Sequence, residues 1–349
     1  MPEKIHIKTL TEQEFSDFVL KQKESGFRSK QIYEWVWKKK AISFDEMTNI
    51  PLSLRQQLSS SFYCSSIIDT EEQISKDGTR KYAFSLSDGS IFESVLIPSK
   101  GRVTACISSQ IGCALACRFC ATGTMGFVRN LDFAEIHDQI IMLMRFSSQY
   151  FNIPLSNIVV MGMGEPLLNY ENIMKALTHI SDKNTLNFSP QRITISTAGI
   201  TEGIRRMADE AIPFQLAVSL HSAIDSKRRQ IMPLANKHQI NDIIKALQHY
   251  YKKTEKRITI EYLMIHNFND TFQDAEELAL FCRNFPVKIN LIPLNNITIN
   301  NLKGSSPENI NKFAAILKSK NIIVNLRQSK GVDIMAACGQ LVKNKNQNI

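Results

Sequence analysis

The sequence predicts an α/β protein whose main body is an open or closed (β/α) barrel, preceded by a small, mostly helical N-terminal domain and a β-hairpin extension. Three observations predict it. From about residue 100, strand-like runs and amphipathic helical stretches follow one another in regular turn, the pattern of repeated βα units with right-handed crossovers. Residues 1 to about 60 instead space apolar residues at three and four, as in Phe15, Phe18 and Val19, which reads as helix. Between these regions KYAFSLSDGSIFESVLIP alternates around Asp88-Gly89, a hairpin signal.

The candidate strands are VTACIS (103–108), NIVVMGM (157–163), RITIS (192–196), LAVSLH (216–221), RITIEYL (257–263), KINLIP (288–293) and IIVNLR (322–327). Helical stretches between them include 131–146, 240–253 and 306–319. Side chains at i and i+2 share a face of a strand. Thr104, Cys106 and Ser108 therefore lie together, as do Thr194 and Ser196, Ala217, Ser219 and His221, and Thr259 and Glu261. The opposite faces are apolar and suit outer helices. A barrel filled only for stability favours branched apolar side chains inside, so a polar interior points to a polar ligand.

A chain of 349 residues with 43% hydrophobic composition can bury a full-size core. It has no apolar run of eighteen residues and a polar, charged start, so no membrane partner and a cytoplasmic location are expected. The net charge of +9 favours a polyanionic partner. Residues 21–41 interleave Lys21, Lys23, Arg28, Lys30, Lys38, Lys39 and Lys40 with Phe27, Tyr33, Trp35 and Trp37. Cations beside flat rings suit RNA. The alternative is an amphipathic helix with Ile32, Trp35 and Val36 facing a core and its lysines merely solvated, and one helix can do both.

Four of the seven cysteines fall in CISSQIGCALACRFCATG (106–123). In a reducing compartment this clustering favours a metal centre or catalysis over disulfide scaffolding. Cys113, Cys117 and Cys120 are spaced C-x3-C-x2-C in a loop after the first barrel strand. Three thiolates in one loop can hold a soft metal centre with one position open. A structural zinc with Cys106 as fourth ligand is the competing reading, although zinc ribbons pair two short knuckles. Downstream, Gly162 and Gly164 in MGMGEPLLN (161–169) allow close backbone approach to a ligand, and Glu165 can accept from a ligand ammonium.

These residues carry a resemblance. C-x3-C-x-Phe-C, with Phe119 as the aromatic, resembles the signature of radical S-adenosylmethionine enzymes, which implies a 4Fe-4S cluster and S-adenosylmethionine as cofactors. CISSQIGCALACRFCATG, GMGEPLLN, RITISTAGI, SLHS, NLIPLN and DIMAACGQL, in that order, are similar to the RlmN/Cfr family of radical RNA methyltransferases. The resemblance covers about residues 20–342. It implies a partial (β/α) barrel at 99–335, an RNA-contacting accessory domain with the hairpin at 1–98, and a C-terminal segment, 336–349, carrying a reactive cysteine. It also implies cofactor contacts at Gly164, Glu165, Ser196, Ser219, Leu220, His221 and Asn295. GMGEPLLN and NLIPLN resemble the branch that methylates carbon 2 of an adenosine in 23S rRNA and, as a second substrate, in tRNA near the anticodon. Methylation of carbon 8 is the alternative. A flavodoxin-type electron donor is expected.

Carbon 2 of adenine lies between two ring nitrogens and is electron-poor, so it cannot attack a sulfonium methyl. The family's route implies that a thiolate, Cys338, takes the methyl first and later delivers a carbon radical to the ring. Cys106 would then release the tethered adenosine by forming a disulfide with Cys338. Glu93 is by family position the base that removes the ring proton; its competing reading is a solvated charge on a strand at a domain edge. Small neighbours Ala336, Ala337 and Gly339 leave the Cys338 sulfur approachable. Cys64 and Cys282 read as packing residues, His137 and His249 as helix-surface residues, and LVKNKNQNI after Gln340 as a disordered tail. Two readings of other kinds compete: a zinc-stabilised, non-catalytic RNA-binding ribosome factor, and a radical enzyme of small molecules. The second leaves residues 21–41 unexplained.

Overall fold

The computed structural model of the chain describes residues 4–295 and 302–341; the expected tail lies, from residue 342 onward, outside them. The strands are β1 (Ile5–His6), β2 (Phe62–Tyr63), β3 (Ile67–Ile74), β4 (Arg80–Leu86), β5 (Ile91–Ser99), β6 (Arg102–Ile107), β7 (Gln110–Gly112), β8 (Phe127–Asn130), β9 (Asn157–Val160), β10 (Ile193–Thr197), β11 (Gln215–Ser219), β12 (Ile258–Met264), β13 (Val287–Pro293) and β14 (Ile323–Leu326). All seven expected barrel strands are present, as β6 and β9 to β14. They form the parallel part of one ten-stranded sheet ordered β14-β13-β12-β11-β10-β9-β6-β5-β4-β3.

The hairpin forms where Asp88-Gly89 directed, with Gly89 at φ +80° and β4 antiparallel to β5. It does not stand apart from the barrel. β5 pairs antiparallel with β6, and β3 adds beyond β4, so the hairpin continues the barrel sheet to a free edge.

Helices cross over between the parallel strands and cover the apolar face, where Ile193, Ile195, Leu216, Val218, Ile258 and Ile260 are fully buried. The crossover helix Phe133–Phe151 starts at Asp132 in a reciprocal capping box with Glu135 and ends at Asn152, which takes the left-handed conformation. No helix among the described residues is long and apolar enough to cross a membrane.

Residues 5–64 fold around the helices Glu12–Lys21, Gly26–Trp37 and Leu52–Ser61, which bury Val19, Ile32, Leu54 and Leu58 completely. β1 pairs with β2 and closes this unit. A buried charge cluster joins it to the barrel. Asp138, on the helix Phe133–Phe151, accepts from the Lys8 ammonium, from Ser66 N at 2.6 Å and pairs with His6 Nε2 at 2.8 Å. Beside it Trp37 packs against His179 at 4.1 Å and His137 at 5.1 Å between ring centroids. His137 is thus fully buried rather than at the helix surface. Its helix is covered on two sides, by the sheet and by the N-terminal unit. His249 is half-exposed on Asp209, and Cys64 and Cys282 are buried packing residues, as expected.

Candidate active site

One cavity opens inside the polar face of the sheet. Its wall includes Cys106, Cys113, Cys117, Cys120, Gly164, Glu165, Ser196, Ser219, His221, Glu261, Arg327 and Cys338. Stretches of sequence spread from residue 106 to residue 338 therefore meet at one place.

The loop 113–126 is pinched at its base by the antiparallel pair β7 and β8. Its middle is tied to the barrel where Arg118 N donates to Ile231 O at 2.9 Å, and Phe119 stands edge-on to His221 at 4.7 Å. Burial pushes the Cys113 thiol up to about 11 and Cys117 higher still, so a metal centre must displace their protons on binding. The three thiols of one short loop share one wall, and three soft thiolates are a donor set that an iron–sulfur cluster accepts.

The loop after β9 passes close under β6 and β7. Gly164 has φ +97°, and a Cβ there would lie 2.5 Å from Gln110 Cβ, so only glycine lets this backbone reach the cavity. Glu165 is buried and accepts from Ala198 N at 2.7 Å and Leu167 N at 3.1 Å. Burial nevertheless raises its carboxyl to about 7 against these hydrogen bonds. Ser196 and Ser219 lie 3.5 Å apart through their hydroxyls. His221 has φ +57°, its Nδ1 accepts from Leu263 N at 3.1 Å, and burial, then Arg228, hold its ring down at about 3, hence neutral.

Leu220 and Asn295, also expected as contacts, are not among the residues that line the cavity. Leu220 is fully buried on the opposite face, its N–H donating to Glu261 O and its carbonyl accepting from Arg228 Nε. Asn295 is buried but does not line the cavity. Glu93 is also outside the wall, although by strand parity it shares the side of Val95, the partner of Cys106. It is not a solvated charge: it is 1% exposed and 3.1 Å from Lys81 Nζ.

Glu261 and Arg327 were not singled out as site residues from sequence. The Glu261 carboxylate accepts from Asn290 Nδ2 at 2.8 Å through one oxygen; the other lies 3.6 Å from Arg327 and has no hydrogen bond. Burial pushes Glu261 up, with Arg327 acting against it. Burial, then Cys338, push the Cys106 thiol up to about 12, and Arg327 pulls it down. Cys338, open to the cavity although deeply set, is raised by burial and lowered by the same guanidinium. Strand parity alone would have found Glu261. Arg228 was also missed: its fully buried guanidinium donates to Ala198 O, Leu220 O and His238 O and holds three cavity loops together.

A three-thiol loop after the first strand of a partial barrel, facing a glycine-rich turn, defines the radical S-adenosylmethionine class. The radical SAM superfamily model matches residues 107–282, and that of the ribosomal RNA large subunit methyltransferase N-terminal domain matches residues 5–64. A probable dual-specificity RNA methyltransferase RlmN of Flavobacterium psychrophilum is 46% identical over 97% of this chain and 98% of its own length. The corresponding protein of Cytophaga hutchinsonii is 45% identical over 96% of this chain and 92% of its own. The crystal structure of a radical SAM methyltransferase from Sphaerobacter thermophilus superposes with a TM-score of 0.91, at 38% identity, covering 97% of this chain and 99% of that one. The chain belongs to the RlmN family of radical SAM RNA methyltransferases, whose cofactors are a 4Fe-4S cluster and S-adenosylmethionine. Membership in an enzyme family removes the non-catalytic, zinc-stabilised alternative.

Proposed function

We propose that this protein methylates carbon 2 of an adenosine in 23S rRNA, in the peptidyl transferase region, and of a tRNA adenosine near the anticodon, in the cytoplasm and with a flavodoxin-type electron donor. The observation that carries the reading is the presence of Cys106 and Cys338 on the wall of the cavity that also holds the three loop thiols. Two further thiols beside the loop are not needed to hold a cluster; an acceptor thiol and a releasing thiol are what an electron-poor ring carbon requires.

Cys113, Cys117 and Cys120 hold the cluster, and Gly164, Glu165, Ser196, Ser219 and His221 hold S-adenosylmethionine. Leu220 and Asn295, both buried, complete the set of cofactor contacts. When bound, these groups supply an electrophilic methyl and, after one-electron reduction, a means of removing a hydrogen atom. Cys338 is the methyl-accepting thiol, and Arg327 favours its thiolate. Once the methyl carbon, as a carbon radical, has joined the ring, the adenosine is tethered to the Cys338 sulfur and carries one odd electron, which a bound cluster would take back. Glu93, its anion supported by Lys81, takes the ring proton. Cys106, as its thiolate, then bonds to the Cys338 sulfur; the sulfur–carbon bond breaks with its electron pair going to the carbon, which takes up a proton to complete the methyl group, and the disulfide left behind is reduced before the next turnover.

Residues 1–98 serve as the RNA-contacting part, 99–335 as the catalytic barrel, and 336–349 as the carrier of Cys338. Along 21–41 the helix uses both of its faces. Ile32, Val36 and Trp37 are buried, whereas Phe27 and Lys38 are exposed and Lys39 lies over the Trp35 ring at 4.3 Å. The exposed face suits phosphates and an unstacked base.

The test is to incubate anaerobically purified protein with a reductant, methyl-labelled S-adenosylmethionine and protein-free ribosomal RNA, then separate nucleosides by mass spectrometry beside Cys338→Ala. The expected product is 2-methyladenosine, absent from the variant. 8-Methyladenosine would assign the other branch. Product from the Cys338→Ala protein would sink the shuttle.

A further inference from the structure

The sheet does not close on itself: its edges are β3 and β14. The chain leaving β14 crosses to the other edge. Residues 75–79 turn β3 into β4, and there Gly331 N donates to Asp77 Oδ2 at 3.0 Å. The Asp333 carboxylate accepts from Ser75 Oγ at 2.5 Å and from Lys76 N at 3.0 Å. The turn is internally braced by Ser75 N to Thr79 O at 2.8 Å and Thr79 N to Asp77 Oδ1 at 2.9 Å. Gly331 has φ +66°, and a Cβ there would meet Ala336 Cβ at 2.8 Å and Thr79 Cγ2 at 2.9 Å, so the segment seats on the turn without a side chain between them.

The far end of the segment is fixed to the cluster loop. Ala121 N, next to Cys120, donates to Gly339 O at 2.6 Å, and Thr122 Oγ1 donates to Leu341 O at 2.6 Å. Cys338 is thus suspended between two anchors, one on the hairpin turn and one on the loop of the cluster thiols.

We propose that Asp77 and Asp333 are positioning residues that clasp this strap and hold the Cys338 sulfur where it faces both Cys106 and the cofactor wall; this rests on Cys338 being the methyl-carrying thiol. The clasp is ionic at neutral pH. Hydrogen bonds from Ser75 and Lys76 hold Asp333 below the usual carboxylate range, and those from Thr79 and Gly331 hold Asp77 at about 2 although burial opposes them. Both carboxylates are on the surface, so their role is separable from the stability of the core.

The test uses Asp77→Asn, Asp333→Asn and the double variant in the full chain. In reconstituted protein kept anaerobic and reduced, N-ethylmaleimide alkylation of Cys338 is timed by peptide mass spectrometry against buried Cys282. In reconstituted protein, the amount of S-adenosylmethionine cleaved per methylated nucleoside is measured. Losing one charge-assisted hydrogen bond is expected to raise Cys338 alkylation about tenfold, with cleavage increasingly uncoupled from methylation and the melting temperature nearly unchanged. Ser75→Ala should move both readouts the same way, by less.

Unchanged alkylation and coupling overturn the clasp. So does a fall in melting temperature with coupling intact, which would make the contact merely structural. If Cys338→Ala abolishes methylation while the clasp variants are silent, the clasp alone falls; if Cys338→Ala still methylates, the clasp and the shuttle fall together.

Discussion

Asp138→Asn should detach the N-terminal unit from the barrel more readily than any surface change. Asp138 and Lys8 are fully excluded from solvent in their side chains, and the carboxylate also serves His6 and Ser66 N. An amide can accept from one of these donors but presents its own NH2 to another, and it leaves the Lys8 ammonium buried without a counter-charge. Breaking such a pair from one side costs about 3–5 kcal/mol, whereas replacing both members by apolar groups of similar volume is often close to neutral. Lys8→Met with Asp138→Leu should therefore recover much of the stability that Asp138→Asn loses.

Both tryptophans are in the N-terminal unit, and Trp37 packs on barrel-helix residues His137 and His179, so tryptophan fluorescence during urea unfolding reads this interface. The contribution has a defined pH window. Burial raises the Asp138 carboxyl, but Lys8 and His6 outweigh it and set the folded value well below the usual range. The stabilisation is thus complete above an unfolded value of about 3.9 and is lost as pH falls from there toward the folded value. A loss under about 1 kcal/mol for Asp138→Asn, or a double variant no better than the single one, would refute the reasoning.

Gly164→Ala forces a β-carbon into Gln110 at a positive φ; a loss of about 1–3 kcal/mol is expected by denaturation, with weaker S-adenosylmethionine binding by equilibrium dialysis. Glu261→Leu leaves Asn290 without its buried acceptor and Arg327 without its nearby counter-charge. It should slow turnover about tenfold, one hydrogen bond to a charged group, and reduce the rate at which Cys338 is alkylated, because Arg327 is freed to turn from the thiols. Lys38→Ala should lower the salt dependence of RNA binding by about one unit in log–log slope, measured by filter binding; an unchanged slope removes that lysine from the RNA interface.

Much of the site was legible because its signals are local. The C-x3-C-x2-C loop and GMGE are contiguous, and alternation in β6, β10, β11 and β12 sorted Cys106, Ser196, Ser219 and Glu261 onto one face before any fold was known. β3 escaped notice because IIDTEEQI is an edge strand with one partner and mostly exposed side chains, so no apolar alternation marks it. The burial of His137 is not legible in its own helix, because Trp37, which packs on it, lies a hundred residues upstream. Leu220 sits among polar site residues in SLHS, yet strand parity already turned its side chain outward. Arg228 and the Asp333 clasp depend on groups brought together only by the completed sheet.

The order of that sheet also bears on how the molecule is assembled. Apart from the excursion through β7 and β8, each strand from β3 to β14 is laid beside the one before it in the chain, so the sheet can grow by successive short-range additions. The bond from Ser75 to Asp333 is of another kind, since it joins residues 258 apart. The entropy of closing so long a loop is offset only after the intervening strands have shortened the path between its ends. Enclosure of the catalytic chamber therefore carries a large loop-closure cost, and the same contact seats the Cys338 thiol.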